Sequence, residues 1–174
     1  PTDNDIELML ANSHGNLKKA IELAAFCSLR RGECCALRYD DINGNTLHVH
    51  SDVVKGPDGW VHKDMPKNAS SDRFIKAPDF VIFDLLNEKA PKEKRSNEFC
   101  VNCTPSVLSN RFNALMKALN MNYRFHDLRH YYASLLHAIG IPNQYIQQSG
   151  GWRSDAVLNS IYRNVLRDKQ NKFE

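Results

Sequence analysis

The spacing of apolar residues changes twice along the chain and divides it into three stretches. From Thr2 to Tyr39 the pattern is helical: "TDNDIELML" opens with Thr2 or Asp3 as N-cap, "NLKKAIELAAFCSL" continues it, and "ECCALRY" follows a break at Gly32. Between Thr46 and Pro78 the period drops to that of a strand. Leu47 and Val49 alternate with polar residues in "TLHVH", "GPDG" turns the chain, "WVHKD" extends again, "KNASSD" turns, and "RFIKAP" closes the region. These segments predict one antiparallel sheet of three short strands. From Pro78 onward helical spacing returns in "DFVIFDLLNEKA", "SVLSNRFNALMKALN", the stretch opened by "HDLRHYY", "NQYIQQS" after Pro142, and "SDAVLNSIYRNVL". Leu108, Phe112, Leu115, Met116 and Leu119 form the clearest apolar stripe. The expected class is α+β, mostly α with a small three-stranded antiparallel sheet.

Composition narrows this picture. With 174 residues, 42% of them hydrophobic, the chain can build one core, and it carries no repeat, low-complexity tract or dividing linker. One domain over residues 1–174 is expected. No run approaches the roughly 18 apolar residues of a membrane span, and no charged start leads into an apolar signal segment, so a cytoplasmic location without a membrane partner is expected. The five cysteines are odd in number and unevenly placed, which argues for reduced thiols rather than a disulfide framework. Cys100 and Cys103 form a CxxC, but neither a second pair nor a histidine pair stands at ligand spacing, so no metal is expected. The net charge is only +3, yet Lys63, Lys67, Arg73 and Lys76 gather in one segment and Lys89, Lys92, Lys94 and Arg95 in another. Such clusters can track phosphates, although "KAPKEKR" by itself reads as a solvated loop.

The densest chemistry lies in "HDLRHYY", residues 126–132. On a helix turning about 100° per residue, Leu128, Tyr131, Tyr132, Leu135, Leu136 and Ile139 share one side, which makes both tyrosines packing residues. His126, Arg129 and His130 fall on the other side. Their spacing at the start of a helix suits a phosphate, with Arg129 as a planar fork of donors and an imidazole able to exchange a proton near neutrality. An ordinary polar face has the same spacing, and the heptad alone leaves both readings open.

"SLRRGECCALRYDDI" (28–42), "KNASSDR" (67–73), "HDLRHYY" (126–132), "GGW" (150–152) and "NSIYRN" (159–164) follow one another in an order that resembles the boxes of the tyrosine recombinase catalytic domain, the phage integrase family. HxxRH followed by Gly-Trp and then a tyrosine is the specific part, and the ordered set is more specific than any member. The resemblance runs over nearly the whole chain. It implies Arg30 and Arg129 as the two active-site arginines, Lys67 as the hairpin lysine, His126 and Trp152 as the histidine-type positions, and Tyr162 as nucleophile, with Glu33 and His130 in support. Taken singly, Trp152 and Tyr162 would read as core aromatics. Trp152 departs from the histidine of many members. An indole N–H donates to a phosphate oxygen but exchanges no proton, which leaves acid and base work to Lys67 and His126.

The implied activity is site-specific cleavage and rejoining of duplex DNA through a 3′-phosphotyrosine, for integration or excision of a phage or mobile element, with no cofactor. The resemblance also implies a longer integrase, with an N-terminal DNA-binding domain preceding this one. It implies a monomer when free, a homotetramer on DNA attachment sites, accessory DNA-bending proteins, and work on DNA in a bacterial cytoplasm. Arg73 from the basic segment, together with Asn110, Arg111 and Lys117 from the polar side of the helix over residues 105–119, is expected to contact DNA. The alternatives are a type IB topoisomerase-like enzyme, an inactive DNA-binding domain of the same fold, and a thiol-metal module resting on Cys100 and Cys103.

Overall fold

The computed structural model describes residues 1–64, 72–87 and 98–151. Its first helix, α1 (Asp3–Ala11), starts where the sequence expects. The Thr2 hydroxyl accepts from the Asp5 N–H at 3.2 Å and the Asp5 carboxylate accepts from the Thr2 N–H at 2.7 Å, a reciprocal capping box that satisfies two otherwise orphaned donors. The second helix, α2 (Gly15–Cys27), is apolar on nearly every side, with Ala20, Ile21, Leu23, Ala24, Ala25 and Cys27 all fully buried. A helix of that kind belongs in the middle of a fold. Here α1, α3 (Arg31–Ala36), α4 (Asp79–Leu86), α5 (Pro105–Ala118) and α6 (Asp127–Ala138) all pack around it, and α7 (Asn143–Gly150) lies against α6.

The break between α2 and α3 falls at Ser28 rather than at Gly32. Ser28 is buried and left-handed, with φ 57°, a conformation few non-glycine residues adopt. Gly32 instead sits inside α3, where it admits a neighbour: a Cβ there would lie 2.6 Å from the Val53 carbonyl oxygen and would overlap the Asp52 carboxylate. The absent side chain lets a strand run directly against the N-terminal turn of α3.

The antiparallel sheet has three strands, but not the three expected. Its order is β1 (Ile42–Asn43), β2 (Thr46–Val49), then β5 (Arg73–Lys76), with Leu47 opposite Ile75 and Val49 opposite Arg73. The "WVHKD" segment belongs to a separate hairpin, β3 (Asp52–Gly56) with β4 (Gly59–Lys63). Most of β4 is exposed, so it carries no clear inside–outside alternation to reveal its partner.

On α5, Leu108, Phe112, Leu115 and Met116 are buried as the stripe requires, and Phe112 meets Phe125 edge-on at 5.4 Å. Burying each such side chain contributes about 1.5–3 kcal/mol. The helix expected from "SDAVLNSIYRNVL" lies outside the described residues.

Candidate active site

The site is built where three chain turns meet: the α2–α3 corner, the start of β5 and the end of α7. The last carbonyls of a helix have no partner within it and carry the negative end of its dipole. At the end of α7 a guanidinium reaches each of three successive carbonyls. Arg73 Nε donates to Ser149 O at 3.0 Å, Arg129 Nη2 to Gly150 O at 2.5 Å, and Arg30 Nη2 to Gly151 O at 2.7 Å. Gly151 closes the helix in the left-handed region at φ 66°, a conformation that glycine adopts without penalty. The α2–α3 corner supplies the second set of acceptors. Ser28 O receives Arg129 Nε at 2.9 Å and Arg73 Nη2 at 3.3 Å, which explains why its left-handed backbone is tolerated.

Glu33 is the carboxylate that organises the arginines. It accepts from Arg30 Nη1 at 2.8 Å and from the Arg30 backbone N–H at 2.7 Å, and Arg73 grips it with two parallel bonds of 3.0 and 2.9 Å. Burial alone would raise its pKa. The bonds and charges of Arg73, with those of Arg30, overcome this and hold it at about 2. Three arginines around one carboxylate leave the cluster with surplus positive charge, and burial together with Arg30 depresses Arg129 to about 9, still protonated at neutral pH. Surplus cation in a low-dielectric site is a place for an anion.

Of the expected site residues, the structure therefore brings Arg30, Glu33 and Arg129 together from positions far apart in sequence. His126 stands at the N-terminal boundary of α6 without a capping side-chain bond, and its ring meets His130 edge-on at 5.1 Å. Burial, then Arg129 and His130, lower the His126 pKa to about 4, so at neutral pH it is a neutral imidazole. His130 is likewise depressed, chiefly by burial, and its buried Nδ1 has no hydrogen-bond partner among the described residues. Lys67, Trp152 and Tyr162 lie outside the described residues.

Three expectations change. Arg129 shares its face of α6 with His126 and His130 in sequence, yet it is only 2% exposed, because its guanidinium packs on Ser28 and the end of α7, while His126 stays exposed and His130 half-buried. Arg73, expected at the DNA surface, is 6% exposed and committed to Glu33, Ser28 and Ser149, so it is an internal scaffold. Its parity could have revealed this, since Arg73 and Ile75 share the inward face of β5 while Phe74 and Lys76 point out. Arg111 stands apart from the site, lining a concavity with residues Asn12, His14 and Asn16 near the start of α2. Asn110 and Lys117 are exposed on α5. Sequence reasoning missed Arg31, Ser109, Asn113 and Arg124, which with His126 and Arg129 line a cleft of about 470 Å³ beside the cluster.

The remaining tyrosines of the heptad are structural. Tyr131 donates to Asp3 Oδ1 at 2.9 Å and Tyr132 to Ser149 Oγ at 3.0 Å, and burial pushes both phenol pKa values up, away from a ready phenolate. Cys100 is buried and Cys103 half-buried, and both are free thiols that do not pair with each other. Among the described residues no group of three His, Cys, Asp or Glu side chains is placed to hold a metal, and no helix is long and apolar enough to cross a membrane.

Mostly helical with a small antiparallel sheet, the domain has a fold shared with tyrosine recombinase catalytic domains. The model of the phage integrase family matches residues 2–169, and the chain belongs to that family. The integrase of Staphylococcus phage L54a is 25% identical over 176 residues, covering 89% of this chain and 49% of that protein. The chain thus spans about half the length of this curated relative. Among solved structures, the Tn1549 transposon integrase in complex with transposon right end DNA superposes with a TM-score of 0.76 at 17% identity, over 99% of this chain and 65% of that one. A lambda integrase tetramer bound to a Holliday junction gives a TM-score of 0.59 at 20% identity, over 92% of this chain and 47% of that one.

Proposed function

We propose that the protein of which this chain is part is a site-specific recombinase that cuts and rejoins duplex DNA through a covalent 3′-phosphotyrosine at Tyr162, for integration or excision of a phage or mobile element. The observation that carries this reading is the arginine cluster. Both arginines are fixed from two sides before any substrate arrives, Arg30 by Glu33 and the Gly151 carbonyl, Arg129 by Ser28 and the Gly150 carbonyl. Donors fixed in advance at a developing phosphorane charge are each worth about 3 kcal/mol in the transition state. The tyrosine oxygen attacks phosphorus, the bond to the 5′-oxygen breaks, and the departing oxygen takes a proton. The bond energy is kept in the phosphotyrosine, so a second strand's 5′-hydroxyl rejoins the DNA without nucleotide hydrolysis.

In this scheme Lys67 protonates the leaving 5′-oxygen and Trp152 donates to a non-bridging oxygen. His126, neutral at physiological pH, can accept the tyrosine proton, and a phosphate docked beside Arg129 would raise its basicity by offsetting the neighbouring charge. Structures of similar fold captured on DNA, including a tetramer on a Holliday junction, support duplex DNA as substrate and a homotetramer on DNA, and we take the free protein to be a monomer. We extend the reading to a single catalytic domain preceded by a DNA-binding domain in the longer protein, to accessory DNA-bending proteins, and to action on DNA in a bacterial cytoplasm.

The test is denaturing electrophoresis after incubation with nicked suicide duplexes carrying the element's attachment site. A covalent protein–DNA band is expected from the wild type and not from Tyr162→Phe. A band that persists in Tyr162→Phe would assign the nucleophile elsewhere. Confirmed DNA binding with no band from the wild type, in the longer protein as well, would leave an inactive DNA-binding domain.

A further inference from the structure

The cleft beside Arg129 contains more cationic and polar groups than the scissile phosphate requires. Arg30 and Arg31 are consecutive, and their side chains diverge: Arg30 turns to Glu33 and Gly151, whereas Arg31 Nη1 reaches across to α5 and donates to Ser109 Oγ at 2.5 Å. Ser109 and Asn113 stand one helical turn apart on the flank of α5 that faces this cleft. Arg124 closes the far side, with one guanidinium nitrogen 3.1 Å from Asp127. Arg31 is exposed and makes no ion pair among the described residues. A guanidinium with no carboxylate in direct contact, although its charge reaches Asp52, shares this concavity with Arg129 and leaves it positive.

We infer that Arg31, with Ser109, Asn113 and Arg124, forms a second anion subsite that takes a DNA backbone phosphate neighbouring the one presented to Arg30 and Arg129. This rests on the DNA-cleaving reading above. Three features favour a phosphate over a base edge. Guanidinium and hydroxyl donors suit phosphate oxygens, successive phosphates on a strand lie within a few ångströms of each other along the helix axis, and the cleft is continuous with the catalytic arginine. Such a contact fixes the register of the strand so that the scissile phosphate meets its arginines.

Phosphate contacts are sequence-independent and release counterions, so they can be counted by salt. The affinity of the protein for a short mixed-sequence duplex is measured across a potassium chloride series, for wild type, Arg31→Ala, Arg31→Lys and Ser109→Ala, each checked for native circular dichroism. Arg31→Ala is expected to lower the slope of log affinity against log salt by about 1, and Arg31→Lys to restore it. Ser109→Ala removes the structural bond but no charge, and is expected to keep the wild-type slope. A wild-type slope in Arg31→Ala, or an equal loss in Ser109→Ala, overturns the subsite. If wild type forms the Tyr162 adduct while Arg31→Ala keeps the full slope, only the subsite fails. If the slope falls as expected but no adduct forms on attachment-site DNA, the subsite stands and the recombinase reading falls. A wild type that binds no duplex at low salt overturns both.

Discussion

At the scale of single residues, Arg73 shows how much a buried charge depends on its partners. Its guanidinium satisfies Glu33, Ser28 and Ser149 at once, and nothing else among the described residues could fill all three roles. Removing one side of such a pair leaves the other buried and unpaired. Arg73→Met is therefore expected to cost about 3–5 kcal/mol in denaturant unfolding. Glu33→Gln combined with Arg73→Met should recover part of that loss, because the uncompensated carboxylate is gone. A loss under about 1 kcal/mol in the single variant would mean that Arg30 alone suffices for Glu33. Arg73 was also the residue the sequence misplaced. Surrounded by Lys63, Lys67 and Lys76 it looks like one more surface cation, and only its register with Ile75 marks it as inward-facing. Arg30, Glu33, His126 and Arg129 were legible because their boxes keep an order along the chain. The burial of Arg129 was not, since a helical wheel sees one helix and not what packs against it.

At the scale of elements, the helices could be read from periodicity because each buries one continuous stripe. The pairing of the "WVHKD" strand β4 with β3 could not, because β4 is almost wholly exposed and leaves no alternation to show which strand it joins. The α2–α4 contact carries a titration of its own. Glu22 is buried on α2 and faces Asp84 of α4, with Lys18 bridging at 2.6 Å from Asp84 and 3.7 Å from Glu22. Burial, then the hydrogen bond and charge of Asp84, raise the Glu22 pKa to about 8, against the opposing pull of Lys18. Its folded pKa thus lies above the ordinary 4.5, so the folded state holds a proton that the unfolded chain releases in between. The stability this confers is fully present below pH 4.5 and declines as pH rises toward 8. Glu22→Gln keeps the neutral hydrogen-bonding form at every pH. Its melting temperature is expected to fall less than that of wild type between pH 5 and 8, by differential scanning calorimetry. Parallel pH profiles for the two proteins would place Glu22 as a carboxylate paired with Lys18.

At the scale of the whole molecule, the cluster joins two regions of unequal strength. Helix α2 lies at the centre, ringed by five other helices, while α7 buries only Ile146 and Gly150 and is secured at its end by three guanidinium groups. Hydrogen bonds from cations to terminal carbonyls are each worth up to about 2 kcal/mol, far less than a helix buried on every side. Helix α7 should therefore open without the core, and its opening should depend on residues that lie far from it in sequence. Native-state hydrogen exchange is expected to find the α7 amides exchanging through a local opening at a small fraction of the global unfolding free energy, and the α2 amides only through global unfolding. Arg30→Ala should speed exchange in α7 while leaving α2 protected relative to its own global stability, because Arg30 touches α7 only through the Gly151 carbonyl. Equal protection in α2 and α7, or an Arg30→Ala effect spread evenly over both, would make α7 part of one cooperative core. The arginines would then merely decorate a helix that other contacts hold. Selective loosening of α7 would show that the groups proposed to grip phosphate also hold the helix leading directly to Trp152.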